Sequence, residues 1–150
     1  MEHQLIKEAK VTQCKSTVAA GTTDITDATV IDMADFEGVV FIASFGAITA
    51  GAVTSLKAAG LATSSPTAIT DDLAGTKATI IDTDDDKCVV LSIHKPILRY
   101  IRPWIDRATQ NAVLNSIVAI QYGAKKQPVT HDAASVPTIV SVISPANGTA

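Results

Sequence analysis

The most regular apolar pattern in the chain lies at residues 39–45, VVFIASF. Side chains of a β-strand point alternately to opposite faces, so this segment predicts a strand with two apolar faces. One face carries Val39, Phe41, Ala43 and Phe45, and the other carries Val40 and Ile42. A strand of this kind is either central in a fold or covered by a partner.

Shorter apolar runs recur along the chain, separated by Gly, Pro and Asp residues typical of turns. Residues 48–62 are compatible with a helix, but Gly51 and Gly60 bracket them and favour a strand at residues 53–59. Further strands are predicted at residues 25–33, 78–82, 87–94, 97–106 and 113–122. The last two are predicted to pair as a hairpin, with Pro103 indicating an edge position or a bulge.

Short strands at these intervals predict an all-β fold, a single-domain β-sandwich over residues 1–150, with a jelly roll as the preferred version. The domain core is expected at about residues 20–125, with extended arms at residues 1–16 and 126–150. Residues 1–16 could instead contain a short edge strand, and residues 139–143 could form a last strand. The alternation predicts a core that includes Val39, Phe41, Phe45, Val89, Leu91, Ile93, Ile101, Ile117 and Ile120.

The composition suits a folded domain, because 47% of the residues are hydrophobic and only 18% are charged. A net charge of −3 gives no general attraction to nucleic acid, so no nucleic-acid partner is expected. No apolar run approaches the ~20 residues that span a membrane, and no signal peptide is visible. Cys14 and Cys88 are expected to be free thiols of a protein made in a reducing cytoplasm.

Charge is segregated along the sequence. Acidic residues concentrate at 24–37 and 71–86, whereas basic residues dominate residues 87–126. Solvated turns and strand faces would produce this pattern. Patches complementary to a partner would produce it as well.

Metal and catalytic motifs are not apparent, so no cofactor, no metal and no enzymatic activity are expected. The acidic run at residues 82–87 differs from an EF-hand loop, because its sixth and twelfth positions hold Lys87 and Ile93 instead of Gly and Glu. No ligand-pair spacing such as C-x-x-C or H-x-x-x-H occurs. The possible ligands are His3, Cys14, Cys88, His94 and His131.

The segment RYIRPW at residues 99–104 is the main candidate for an interaction surface, because Arg and aromatic residues are frequent in protein interfaces. In a strand, Tyr100, Arg102 and Trp104 share one face and Arg99 lies on the other. In the alternative interpretation, these rings pack in the core and the guanidinium groups form ion pairs or lie at its rim. Further candidate contacts in the C-terminal arm are Lys125, Lys126 and Val129.

Four stretches resemble small virion structural proteins of tailed bacteriophages, over about residues 20–130. They are VIDMADFEGVVF at residues 30–41, DDDKCVV at 84–90, RYIR at 99–102, and the segment from NAV to AIQYG at 111–123. The resemblance implies a non-enzymatic capsid cement (decoration) protein on the capsid surface of the virion. Its expected partner is the major capsid protein, and it is expected to form a homo-oligomer, dimer or trimer.

Two alternatives remain open from the sequence. One is another virion part, such as a head–tail connector, neck or tail component. The other is a carbohydrate-binding β-sandwich module, although one Trp and two Tyr give few aromatic platforms for sugars.

Overall fold

The computed structural model describes residues 4–51, 53–66, 71–108, 110–142 and 148. Within these residues the chain is mostly strand, and the only helical elements are α1 (Leu5–Glu8) and a 3₁₀ turn (Asp82–Asp84). The strands are β1 (Lys10–Lys15), β2 (Val18–Gly21), β3 (Ile31–Asp32), β4 (Gly38–Ile48), β5 (Thr54–Leu61), β6 (Ala78–Ile80), β7 (Cys88–His94), β8 (Tyr100–Asp106) and β9 (Ala112–Tyr122).

The strands form two antiparallel sheets. The first sheet has the order β1-β9-β4-β7, with β2 also paired to β9, and the second has the order β3-β8-β5-β6. Their facing sides enclose one continuous apolar core. The all-β sandwich predicted from the sequence is confirmed.

Strand β4 is central in the first sheet and explains the doubly apolar pattern at residues 39–45. The set Val39, Phe41, Ala43 and Phe45 is buried in the core, while Val40 and Ile42 on the outer face are half-buried. From the second sheet, Leu56, Ala58, Ile101 and Ile105 pack on the same core. The predicted facing of this strand is confirmed.

Most of the predicted core is also confirmed, with one correction. Leu91, Ile101 and Ile117 are buried, and Val89 and Ile93 pack against the core while partly exposed. Ile120 instead lies half-buried on the outer face. The register of β9 with β4 shifts between Ser44 and Phe45, so that the inward positions after Leu114 are 117, 119 and 121.

The predicted hairpin between residues 97–106 and 113–122 is wrong, because β8 and β9 belong to different sheets. The connection between them crosses the sandwich and is held by the buried side chain of Gln110. Its Oε1 accepts hydrogen bonds from the amide and hydroxyl of Thr54 at 2.8 and 2.6 Å, and its Nε2 donates to the carbonyl of Thr49 at 2.9 Å.

Pro103 lies in a strand with a neighbour on each side, yet it interrupts no ladder. On the side away from β5, strand β8 pairs with Ile31 at Ile101 and with Ile25 at Ile105, and the chain between these two partners departs from the sheet. The Ile105 amide points to this side, because it donates to the Ile25 carbonyl at 3.0 Å. By strand alternation, position 103 faces the gap, where a proline leaves no hydrogen bond unmade.

Segments from the N-terminal and C-terminal parts of the chain meet at one edge of the first sheet. Residues 1–16 were predicted as an arm or an edge strand, and over Lys10–Lys15 they form the edge strand β1. Residues 128–136 lie beside it, with the Val129 amide donating to the Lys7 carbonyl at 2.9 Å. Residues 139–142 form no strand, and Ile143 lies outside the described residues. No helix among the described residues is long and apolar enough to cross a membrane.

Candidate interaction surfaces

The predicted interface segment places its aromatic side chains on the outer face of the second sheet. Trp104 is 9% exposed and packs with Ala59 and Leu61, with Val30 and Tyr100 partly buried beside them. This small cluster is separate from the main core. The rings are therefore covered by neighbouring side chains of the same chain.

Polar groups around Trp104 are paired within the same face. The indole N–H donates to Asp72 Oδ1 at 2.8 Å, and Lys57 Nζ lies 4.7 Å from the ring centre. Lys57 also donates to Asp106 at 2.7 Å. This hydrogen bond lowers the pKa of Asp106 and raises the pKa of Lys57. The cluster thus keeps both groups charged over a wider pH range.

The two arginines of the segment also have partners inside the chain. Arg99 forms a bidentate pair with Asp32, with Nε and Nη2 at 2.8 and 2.7 Å from the two carboxylate oxygens. This hydrogen bonding lowers the pKa of Asp32. Arg102 donates to the Thr26 carbonyl at 3.2 Å. The acidic segment at residues 24–37 and the basic segment thus contact each other within one molecule. Arg99 makes this contact through an ion pair, and Arg102 makes it through a hydrogen bond to a carbonyl.

The C-terminal candidates lie near the segment held by Arg99. Lys125 Nζ donates to the Ala34 carbonyl at 2.6 Å, and its amide donates to the carbonyl of Asp35 at 2.9 Å. Lys126 and Val129 line a shallow cleft of about 250 Å³ beside Phe36. Arg99 and Lys125 therefore both contact residues 32–35. Trp104 lies elsewhere, where it packs on Ala59 and Leu61.

A second surface, less visible in the sequence, covers the outer face of the first sheet. Cross-strand pairs align its apolar side chains in two rows. One row is Val11, Ile120 and Val40, and the other is Val118, Ile42 and Val90. Five of the six are half-buried, and Val90 is 56% exposed. We call these six residues the valine–isoleucine face.

Polar and aromatic groups border the valine–isoleucine face. At one end, His94 and Tyr122 stack with parallel rings, and His94 Nδ1 lies 3.2 Å from the Tyr122 hydroxyl. The Tyr122 ring lies directly over Gly38, where a Cβ would approach within 2.3 Å, so a larger residue at position 38 would displace the ring. At the other end lie Ser44, Ser116 and Cys88.

The sequence predicted only part of the valine–isoleucine face. Val40 and Ile42 were assigned to a second apolar face of their strand. The other four residues join them through pairing between strands that are far apart in the sequence. That alignment depends on register, which a single sequence does not fix.

Metal-binding clusters are not found among the described residues, and His3 lies outside them. In the acidic run, Asp84 accepts from Lys87 at 3.0 Å, and Asp85 accepts from the Ile48 amide at 2.7 Å. These carboxylates thus accept hydrogen bonds from the same turn and from the end of β4. Burial raises the pKa of Cys14 to about 12, which keeps that thiol protonated.

No protein-family model matches the chain, and a search of curated proteins gave no match.

Proposed function

We propose that this chain is a non-enzymatic virion structural protein of a tailed bacteriophage. It binds the outside of the capsid as a homo-oligomer, dimer or trimer, and stabilises the shell by bridging neighbouring copies of the major capsid protein. The observation that carries the proposal is the valine–isoleucine face, an apolar surface on a rigid sheet with a polar border. Because residues 20–130 resemble phage virion proteins, we assign a capsid as the binding partner of this surface.

The chemistry of the face suits attachment to a protein surface. Contiguous apolar patches with polar rims are typical of protein interaction sites. Its six side chains are all β-branched, so they lose little conformational freedom when a partner covers them. A cement protein is present in many copies, so a modest interface repeated over a shell stabilises the whole particle.

The strand order supports the jelly-roll interpretation. From β3 to β9 the chain visits the second, first, second, second, first, second and first sheets in turn. Each sheet therefore contains strands that are distant in sequence, as two interleaved Greek keys would give. Jelly rolls occur among viral capsid proteins, which agrees with a role in a virion.

The carbohydrate-binding alternative is less well supported. Sugar-binding platforms need an exposed aromatic ring, whereas Trp104 is 9% exposed and its indole N–H is bonded to Asp72. The connector alternative uses the same kind of surface, because a connector also bridges virion proteins. Copy number separates the two, since a connector forms one ring per particle and cement covers the capsid lattice.

The test uses particles from which the protein has been stripped. Shells are heated with and without the purified protein added back, and the rupture temperature is measured. We expect the protein to rebind and to raise the rupture temperature. The number of bound copies should be proportional to the number of capsid subunits. Equal rupture temperatures, or no rebinding, would reject the cement role and favour the connector.

A further inference from the structure

The edges of the two sheets are protected unequally. The second sheet ends in β3 and β6, which are two and three residues long and offer little for another strand to pair with. The remaining long edges belong to the first sheet, at β1 and at β7. An edge strand with free backbone groups is a template for pairing with another chain.

Strand β1 is capped along its open side. The Val11 amide donates to His131 Nδ1 at 3.4 Å, and the Gln13 amide donates to the Ser135 hydroxyl. The Cys14 carbonyl accepts from the Thr29 amide at 2.8 Å. On β7, by contrast, no strand among the described residues pairs with the side away from β4.

Hydrogen-bond alternation identifies which groups of β7 face this open edge. The Phe45 amide donates to the Lys87 carbonyl at 3.0 Å, and the Lys95 amide donates to the Glu37 carbonyl at 2.7 Å. Odd-numbered residues therefore direct their backbone groups towards β4, and the residues between them direct theirs away. The outward set is Cys88, Val90, Ser92 and His94.

We propose that β7 pairs with β7 of a second copy of this chain, antiparallel about a twofold axis, so that the two first sheets become one. In the register we assign, Val90 lies opposite Val90 of the second copy, and Cys88 lies opposite Ser92. Such an interface is self-complementary, because each copy contributes the same donors and acceptors.

The apolar side chains favour this register. Val90 ends the row that begins at Val118 and Ile42, and it is 56% exposed. Pairing about Val90 continues that row into the same row of the second copy. The two valine–isoleucine faces then form one surface across the twofold axis, and the exposed Val90 side chains cover each other.

The charges favour it as well. Pairing about Val90 places Asp85 and Asp86, in the turn before β7, beside Lys95 and His94 of the second copy. Asp85 of each copy then meets Lys95 of the other, so one pair of opposite charges lies at each end of the interface. Moving the centre by one residue, to Leu91, would instead set Lys87 opposite Lys95, and like charges placed opposite each other are destabilising.

This dimer gives a specific form to the homo-oligomer of the proposed function, and it rests on that proposal only for its role on a capsid. Its test is made in solution without shells, so a failed dimer and a failed cement role are distinguished.

The first experiment is sedimentation equilibrium of the purified full chain. We expect twice the chain mass of 15.6 kDa. Ser92→Pro removes an amide that β4 does not use, so the variant should fold and sediment as a monomer, whereas the control Ser92→Ala should stay dimeric. Val90→Lys, at an exposed side chain, should also give monomer and decides the matter if Ser92→Pro fails to fold. A monomeric wild type, or a dimeric Val90→Lys, would overturn the proposal.

The second experiment tests the register by cross-linking in a Cys88→Ser background. Opposed residues of a hydrogen-bonded antiparallel pair have Cα atoms about 5.5 Å apart, within the range that a disulfide spans. With oxidised glutathione as oxidant, Val90→Cys should give a dimer on a non-reducing gel. Ser92→Cys should stay monomeric on the gel, because the two copies of residue 92 are separated along the strands. Cross-linking of Ser92→Cys alone would refute the register.

Discussion

Ile117 and Ile120 lie on the same strand but face opposite sides of the first sheet. Ile117 is fully buried in the core, and Ile120 is half-buried on the valine–isoleucine face. We expect Ile117→Ala to lower the free energy of unfolding by about 2–5 kcal/mol, because it leaves a cavity in a close-packed interior. Ile120→Ala removes the same atoms from a surface position and should cost clearly less. Urea denaturation of both variants checks this, and equal losses would contradict the assigned facing of β9.

The two cysteines differ in exposure and therefore in reactivity. Cys14 is buried with a pKa raised to about 12, and Cys88 is exposed. Because the thiolate is the reactive form, one thiol per folded chain should react rapidly with a disulfide reagent at neutral pH. Two should react after denaturation under non-reducing conditions. Cys88→Ser should abolish the rapid phase, and two rapid thiols in the folded protein would show that Cys14 is accessible.

The raised pKa of Cys14 also has a consequence for stability at high pH. The folded chain holds this thiol protonated up to about pH 12, whereas the unfolded chain releases the proton from about pH 9, the ordinary value for a thiol. The unfolded state therefore binds fewer protons in this window, and the contribution of Cys14 to stability falls as pH rises through it. Cys14→Ala should show a shallower alkaline loss in urea midpoint than wild type, and parallel curves would count against burial of the thiol.

At the scale of elements, the cap on β1 is built from side chains of the C-terminal segment. Ser135→Ala removes the acceptor for the Gln13 amide. We expect faster hydrogen exchange at Gln13 and a loss of about 0.5–1.5 kcal/mol in stability, the usual net value of one hydrogen bond. Ser141→Ala, an exposed position in the same segment, is the control. Unchanged exchange at Gln13 would mean that the segment does not hold the edge in solution.

Elements with their own periodicity were predictable from the sequence, because alternation within a strand is local. Strands β4, β7 and β9 all follow apolar runs that the sequence displays. Their arrangement was not predictable, since the connection through Gln110 carries the chain from one sheet to the other where a hairpin was expected. Ile117 and Ile120 are three residues apart, so alternation alone places them on opposite faces of β9. The bulge that precedes them decides that Ile117 points inwards and Ile120 outwards.

The candidate surfaces, too, were only partly predictable from the sequence. The residues at 99–104 were recognisable by type, but their partners Asp32, Asp72 and Thr26 are distant in sequence and emerge only from the fold. The valine–isoleucine face was visible only through Val40 and Ile42. Surfaces assembled across strands depend on register, and residue type alone does not specify register.

At the scale of the whole molecule, many of the charged side chains form ion pairs within the chain. Arg99 meets Asp32, Lys15 meets Asp27, and Lys57 meets Asp106. If the protein binds a capsid as proposed, fewer charges are then left to steer it to the shell. Salt screens exposed charges over a Debye length of ~8 Å at physiological strength. We expect added salt to slow binding to stripped shells modestly and to release few bound copies, as measured by pelleting. Full release by salt would indicate an electrostatic interface instead of an apolar one.

If the protein binds a capsid as proposed, a single charge placed on one face tests whether that face makes the contact. Val118 lies within the valine–isoleucine face, and Gln13 is its exposed cross-strand neighbour on β1. Val118→Lys puts a charge in the middle of the apolar rows, whereas Gln13→Lys adds the same charge at their border. If this face binds the capsid, Val118→Lys should fold but fail to raise the rupture temperature of stripped shells, and Gln13→Lys should retain most of the effect.

For the surface around Arg102 on the second sheet, we expect a substitution to leave the protection of shells unchanged. Arg102→Ala removes a guanidinium that is already bonded to the Thr26 carbonyl within the chain, so we expect it to protect shells as well as wild type does. Circular dichroism melts of the three variants confirm that each is folded before it is added. If Arg102→Ala abolishes protection and Val118→Lys does not, the contact surface is the outer face of the second sheet. In that case the valine–isoleucine face would have no part in capsid binding, and its cross-strand pairs would serve the stability of the first sheet and the proposed contact through Val90.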